Sequence, residues 1–163
     1  MSNMKKYFLI VFLVTGFVGV KAQIRFTHFY TSFFEELGQG KDGYKFEGVQ
    51  CYVFNDPADS LVALYRYNNG KEHFYTTSLA ELGGGKDGYK LERTQCYVYA
   101  TQVTGTVPLY RALSAANGSH FYTTNLSEIT DPKNGYRLEE IQCYVFPTQI
   151  KGSTALYRYA FVR

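Results

Sequence analysis

The chain contains three histidines, and each opens the same tetrapeptide: His28-Phe29-Tyr30-Thr31, His73-Phe74-Tyr75-Thr76 and His120-Phe121-Tyr122-Thr123. Three imidazoles meeting at one point could hold a zinc ion. At three separate points each could orient a ligand or make a local structural hydrogen bond. Three arginines recur in Leu64-Tyr65-Arg66, Leu109-Tyr110-Arg111 and Leu156-Tyr157-Arg158. Glu36, Glu81 and Glu128 each lie eight residues after a histidine, and Glu47, Glu92 and Glu139 each follow a Gly-Tyr step. Paired carboxylates are the machinery of glycoside hydrolysis; they are equally natural partners for the arginines. Three cysteines recur in Gln50-Cys51-Tyr52-Val53, Gln95-Cys96-Tyr97-Val98 and Gln142-Cys143-Tyr144-Val145.

Repetition weighs on each of these readings. Acid and base groups of an active site sit in environments that push their pKa values apart, whereas three like copies point to shared scaffolding. The chain has no Gly-x-Ser-x-Gly, no His-Glu-x-x-His and no phosphate loop. A non-catalytic protein with no cofactor and no metal site is therefore expected. Three equivalent cysteines cannot pair off within one molecule. Buried thiols acting as small apolar side chains are expected, with a disulfide or a three-thiolate metal site as the alternatives.

Tyrosine is in excess, with 16 residues. Most fall into repeated sets, among them Tyr30, Tyr75 and Tyr122. A phenol ring has a flat apolar face and one polar tip, which suits stacking on a sugar as well as core packing. The candidate ligand-binding residues are His28, His73, His120, Tyr30, Tyr75, Tyr122, Arg66, Arg111 and Arg158. Histidine and tyrosine would orient and stack, and arginine would bond hydroxyl or acidic groups.

The elements that must position these residues follow from the repeat, whose steps are 45 and 47 residues. His-Phe-Tyr-Thr is rich in strand formers. Ser78 with Glu81, Asn125 with Glu128 and Ser32 with Glu35 resemble capping boxes that open a short helix. Lys41-Asp42-Gly43, Lys86-Asp87-Gly88 and Lys133-Asn134-Gly135 are turn signals. A strand then runs to Gln-Cys-Tyr-Val, and Leu-Tyr-Arg begins the next strand. The chain enters at a His-Phe-Tyr-Thr strand and leaves at a Leu-Tyr-Arg strand. Residues 155–161 would thus supply the partner that the first unit lacks, and closure would remove open β edges. The expected fold is mainly β: a closed pseudo-threefold domain of three repeats, each with a short helix. It would be β-trefoil-like, or alternatively a three-sheet prism or propeller-like ring.

The ordered motifs Leu-Tyr-Arg, His-Phe-Tyr-Thr, Gly-Tyr and Glu-Gly resemble a tyrosine-rich repeat domain of unknown function. That domain occurs in exported bacterial and fungal proteins, often attached to secreted hydrolases such as cell-wall lytic enzymes. The likeness covers essentially all of residues 23–163. Glu47-Gly48 keeps the Glu-Gly step, while Arg93 and Glu140 replace its glycine in the other copies. The resemblance implies an exported accessory domain and brings no catalytic residue with it.

The start of the chain carries an export pattern. Lys5 and Lys6 precede an apolar run, and Val20 and Ala22 stand at the −3 and −1 positions of a cleavage site before Gln23. Residues 1–22 are read as a signal peptide and 23–163 as a single domain. Its repeats span about 24–63, 64–108 and 109–155, with 156–163 closing onto the first. Of 17 Lys and Arg, three lie in the first 22 residues, which hold no Asp or Glu, leaving 14 basic against 14 acidic residues. No basic face for nucleic acid or for a membrane surface is expected after cleavage. The expected protein is secreted or periplasmic. Its partner would be a glycan or cell-envelope polymer, with a protein partner of effector or inhibitor type as the alternative.

Overall fold

The computed structural model describes residues 26–162; the expected signal peptide lies outside them. The strands are β1 (Phe26–Thr31), β2 (Tyr44–Val53), β3 (Val62–Asn68), β4 (His73–Thr76), β5 (Lys90–Val98), β6 (Val107–Ser114), β7 (His120–Thr123), β8 (Tyr136–Val145) and β9 (Thr154–Val162). One-turn helices α1 (Leu79–Leu82) and α2 (Ser127–Thr130) follow β4 and β7, and a 3-10 turn over Phe34–Glu36 follows β1. The strands form three antiparallel sheets, ordered β1-β9-β2, β4-β3-β5 and β7-β6-β8.

Each Leu-Tyr-Arg strand is the centre of its sheet, between a His-Phe-Tyr-Thr strand and a Gln-Cys-Tyr-Val strand. The C-terminal β9 pairs with both β1 and β2, so the last strand completes the first sheet. The fold is therefore mainly β and closed, with pseudo-threefold symmetry of the trefoil or prism kind. At one end of the axis, single bridges Tyr52–Phe146, Phe54–Tyr97 and Tyr99–Tyr144 link the sheets. Phe54, Tyr99 and Phe146 meet edge to face there.

Stacked triplets fill the axis: Val53, Val98 and Val145; Cys51, Cys96 and Cys143; Leu64, Leu109 and Leu156; Tyr30, Tyr75 and Tyr122. The space between the leucine and tyrosine layers has no room for a water molecule. The three cysteines are buried and free, and burial pushes their thiol pKa values up. They pack as small apolar side chains.

The tyrosine layer closes on itself. Tyr75 Oη donates to Tyr30 O and accepts from Tyr30 N–H, both at 2.8 Å. Tyr122 Oη does the same to Tyr75, both at 2.8 Å. Tyr30 Oη completes the circle on Tyr122 at 2.7 and 2.9 Å. Each phenol thus takes the place of a neighbouring strand for one residue of β1, β4 or β7, which are edge strands with backbone groups to satisfy. Burial raises the phenol pKa values, so each hydroxyl stays a donor. These tyrosines are correspondingly removed from the candidate ligand contacts: they are at most 2 % exposed and their polar tips are occupied.

The expected capping boxes do not form. Ser78 makes no side-chain cap bond; Asn125 Oδ1 accepts from the Ser127 N–H at 3.1 Å, but its own N–H goes to Thr123 Oγ1 rather than to Glu128. Ser32 Oγ donates to Gln95 O across to the second sheet. Glu81 and Glu128, meant to complete two of the boxes, have stronger partners elsewhere.

Candidate functional site

Two β-bulges interrupt each Gln-Cys-Tyr-Val strand. Opposite β9 the register skips Glu47 and Gln50; opposite β3 it skips Glu92 and Gln95; opposite β6 it skips Glu139 and Gln142. Residues three apart in a regular strand face opposite sides. An inserted residue re-aims the side chain, and here both bulged residues reach the arginine of the central strand. In the first copy the bulge is eased by Gly48, whose φ of 130° favours glycine.

Arg158 Nε lies 2.9 Å from Glu47, and its Nη1 donates to Gln50 Oε1 at 2.9 Å. Arg66 holds Glu92 at 2.8 Å and Gln95 at 2.9 Å. Arg111 holds Glu139 at 3.2 Å and Gln142 at 3.1 Å.

The outer edge of each guanidinium is gripped by the preceding unit. Glu36 forks onto Arg66 with two bonds of 3.1 Å. Glu81 forks onto Arg111 at 3.3 and 3.1 Å, and Glu128 onto Arg158 with two of 3.1 Å. This is the bidentate geometry that suits Arg and carboxylate. The threonine of His-Phe-Tyr-Thr donates to the same carboxylate: Thr31 to Glu36, Thr76 to Glu81 and Thr123 to Glu128. Burial opposes ionisation of these three glutamates, but the arginine and threonine bonds outweigh it and hold their pKa values below the usual range.

The histidines stand beside these clamps. Each lies edge-on to the phenylalanine of the preceding unit at 4.7 Å: His28 on Phe121, His73 on Phe29, His120 on Phe74. The same rings lie under the arginines, at 4.9 Å for Arg66 on Phe29, 4.8 Å for Arg111 on Phe74 and 5.3 Å for Arg158 on Phe121. Burial, then the charge of Arg158, pulls the His28 pKa down to about 3 against the attraction of Glu128. Burial, helped by Arg66 and opposed chiefly by Glu92, brings His73 down to about 4. Both are neutral at pH 7, so the 3.6 Å approach of His28 to Glu47 is not an ion pair. Their Nδ1 atoms are buried without a partner.

Acid therefore weakens the fold. A histidine whose folded pKa is depressed contributes stability above its unfolded pKa near 6.5, and that contribution is lost as pH falls toward 3–4. Each costs about 2 kcal/mol between pH 7 and pH 5, and the four glutamates with lowered values add to the loss below pH 4.5. Urea titrations at a series of pH values will show this fall, and His28→Gln with His73→Gln will flatten it above pH 5. An unchanged slope in the double variant would refute the assignment.

The predicted site residues are thus brought together in part. One histidine and one arginine share each junction between units, with the two glutamates, but the tyrosines of the tetrapeptide do not join them. Their place at the rim is taken by the Gly-Tyr residues: Tyr136 stacks on Phe121 at 4.6 Å. A 170 Å³ cleft at this junction is lined by His28, Glu47, Glu128, Asn134, Tyr136 and Arg158. The glutamate side chains are 21–35 % exposed, whereas Arg66 and Arg111 are almost covered and Arg158 is 18 % exposed. The open polar groups are carboxylates, not guanidiniums. No cluster of metal-ligand side chains occurs among the described residues.

The bulged glutamines were the missed members of the clamp. Their signal was the constant spacing Glu-x-x-Gln after each Gly-Tyr. Also missed was Glu72, which stands before His73 where the other units have Thr27 and Ser119.

Among curated proteins and among solved structures no significant match to the chain is found. A family model described as a domain of unknown function, DUF5648, matches twice, over residues 21–99 and 83–161. The two matches overlap and together run over all three sheets. The chain belongs to this family, the DUF5648 domain of unknown function.

Proposed function

We propose that the protein is an exported, non-catalytic binding module that recognises a glycan or other cell-envelope polymer through its three unit junctions. The observation that carries this reading is the threefold recurrence of a rigid carboxylate pair at the surface. Each pair is held by an arginine, buried in two of the three copies, and bordered by a Gly-Tyr tyrosine. Glu47 with Glu128, Glu92 with Glu36, and Glu139 with Glu81 would accept hydrogen bonds from sugar hydroxyls. Tyr136, Tyr44 and Tyr89 would flank the ring. Weak, equivalent sites gain strength on a repeating polymer through effective concentration. The arginines act by positioning the carboxylates. Export to the periplasm or outside rests on the Lys5–Lys6 start, the apolar run and the cleavage pattern before Gln23.

The test is co-sedimentation of the purified protein with a panel of insoluble glycans and cell-wall polysaccharides. Binding to at least one polymer is expected. Glu47→Gln, Glu92→Gln and Glu139→Gln singly should weaken it about tenfold each, and together about a hundredfold or more. Glutamine keeps an acceptor for the arginine, and circular dichroism checks the fold. Absence of binding across the panel overturns the reading.

A protein partner is the second reading. It is favoured by exposed apolar side chains on the outer strands: Val49, Leu91, Leu138 and Ile141. Serine at Leu138 and Ile141 would then abolish capture of the partner while leaving polymer binding unchanged.

A further inference from the structure

The end of the axis opposite the Phe54–Tyr99–Phe146 bridges holds a cavity of about 330 Å³. All three units contribute to its wall: Thr27 from the first, Lys71, Glu72 and Tyr89 from the second, Asn117 and Ser119 from the third. Here the threefold symmetry breaks. Thr27, Glu72 and Ser119 occupy equivalent positions before the three histidines, and one of them is a carboxylate.

Glu72 is nearly covered and firmly oriented. It accepts from the His120 backbone N–H at 2.6 Å and from the Tyr89 phenol, and it lies 3.1 Å from His120 Nδ1. Burial disfavours its charge, but the bonds from His120 and Tyr89 outweigh this and hold the carboxyl below its usual pKa. No equivalent carboxylate lies before His28 or His120, where Thr27 and Ser119 stand.

We propose that this axial cavity is a binding site for a single polyhydroxylated ring, a terminal sugar unit or free monosaccharide. The lining contains both charges, one phenol, and amide and hydroxyl groups set in largely apolar surface, which matches a ring that offers hydroxyls at its edge and C–H groups on its face. A ring carrying several hydroxyls would donate to Glu72 and accept from Lys71. The volume lies at the small end of the roughly 300–1,000 Å³ range of small-molecule sites, which suits one ring rather than a chain. The site occurs once in the fold; it shares Tyr89 with one junction, whereas Lys71 belongs to the cavity alone.

The experiment is amide chemical-shift mapping of the protein with D-glucose, D-galactose, D-mannose, N-acetylglucosamine and sorbitol, each titrated to tens of millimolar. At least one of the four sugars should shift the amides of Thr27, Lys71, Glu72, Tyr89 and Ser119 in a saturable way, and acyclic sorbitol should not. Lys71 is exposed, so Lys71→Ala will leave the fold intact and should weaken binding about tenfold through one lost charge-assisted bond. Tyr89→Phe should weaken it as well, while Glu47→Gln should not. No shift at these amides with any probe, shifts confined to the junction clefts, or equal binding by Lys71→Ala would overturn the proposal. Polymer binding through the junctions could survive that failure, which separates the two readings.

Discussion

A chain ending at Ser153 will not fold. Removing the remaining residues deletes β9, which lies between β1 and β2 and hydrogen-bonds to both. Those two strands have no ladder contact with each other, so the first sheet ceases to exist. Leu156 leaves the axial leucine layer, and Tyr159, fully buried, leaves the space beneath β1 and β2. Burial of each such side chain is worth about 2 kcal/mol, before the lost hydrogen bonds are counted. Arg158 also goes, which strands Glu47 and Glu128. A domain whose net stability is about 5–15 kcal/mol does not survive such a loss. Circular dichroism and limited proteolysis will report an unfolded chain. A synthetic peptide of residues 154–163 added in trans should restore the sheet. A cooperative thermal transition in the truncated chain without the peptide would show that β9 does not close the ring.

Tyr75→Phe removes a single oxygen atom and will be costly. The ring remains, so packing is kept. The backbone N–H and C=O of Tyr30 both lose their partner in a site that water does not enter. Each orphaned buried group costs about 1–3 kcal/mol, or about 2–6 kcal/mol for the pair. Tyr30→Phe and Tyr122→Phe should cost as much, because each phenol serves the next residue in the same way. Tyr52→Phe, at a half-buried phenol outside the ring, should fall within about 0.5 kcal/mol of the parent. Urea denaturation midpoints at constant m-value give the comparison. Equal costs for Tyr75→Phe and Tyr52→Phe would sink the closed-ring account.

The repeat motifs alone were sufficient for the architecture. The phase of entry at His-Phe-Tyr-Thr and exit at Leu-Tyr-Arg placed residues 155–161 in the first sheet, where β9 indeed lies. The odd, equivalent cysteines pointed to buried thiols, and these are free and in the core. The site was less legible. Tyr30, Tyr75 and Tyr122 have the composition of sugar-stacking residues, yet they turn inward because edge-strand backbone needs partners that only a neighbouring unit can bring. Ser78 and Glu81 have capping-box spacing, yet Glu81 binds Arg111 of the next unit, a charged fork that outcompetes a local cap.

These two groups of features differ in range. Strand character, the threefold count, the turns and the need for closure are carried by short segments and their order, so they are present in the chain before it folds. The facing of Glu47 and Gln50 depends on bulges that simple alternation does not encode. The phenol ring, the outer grip on each arginine and the axial cavity each join residues of different units, 30 to 92 positions apart where they are bonded. Such contacts exist only once three sheets have closed around one axis, because closure is what brings one unit's edge to the next unit's side chains.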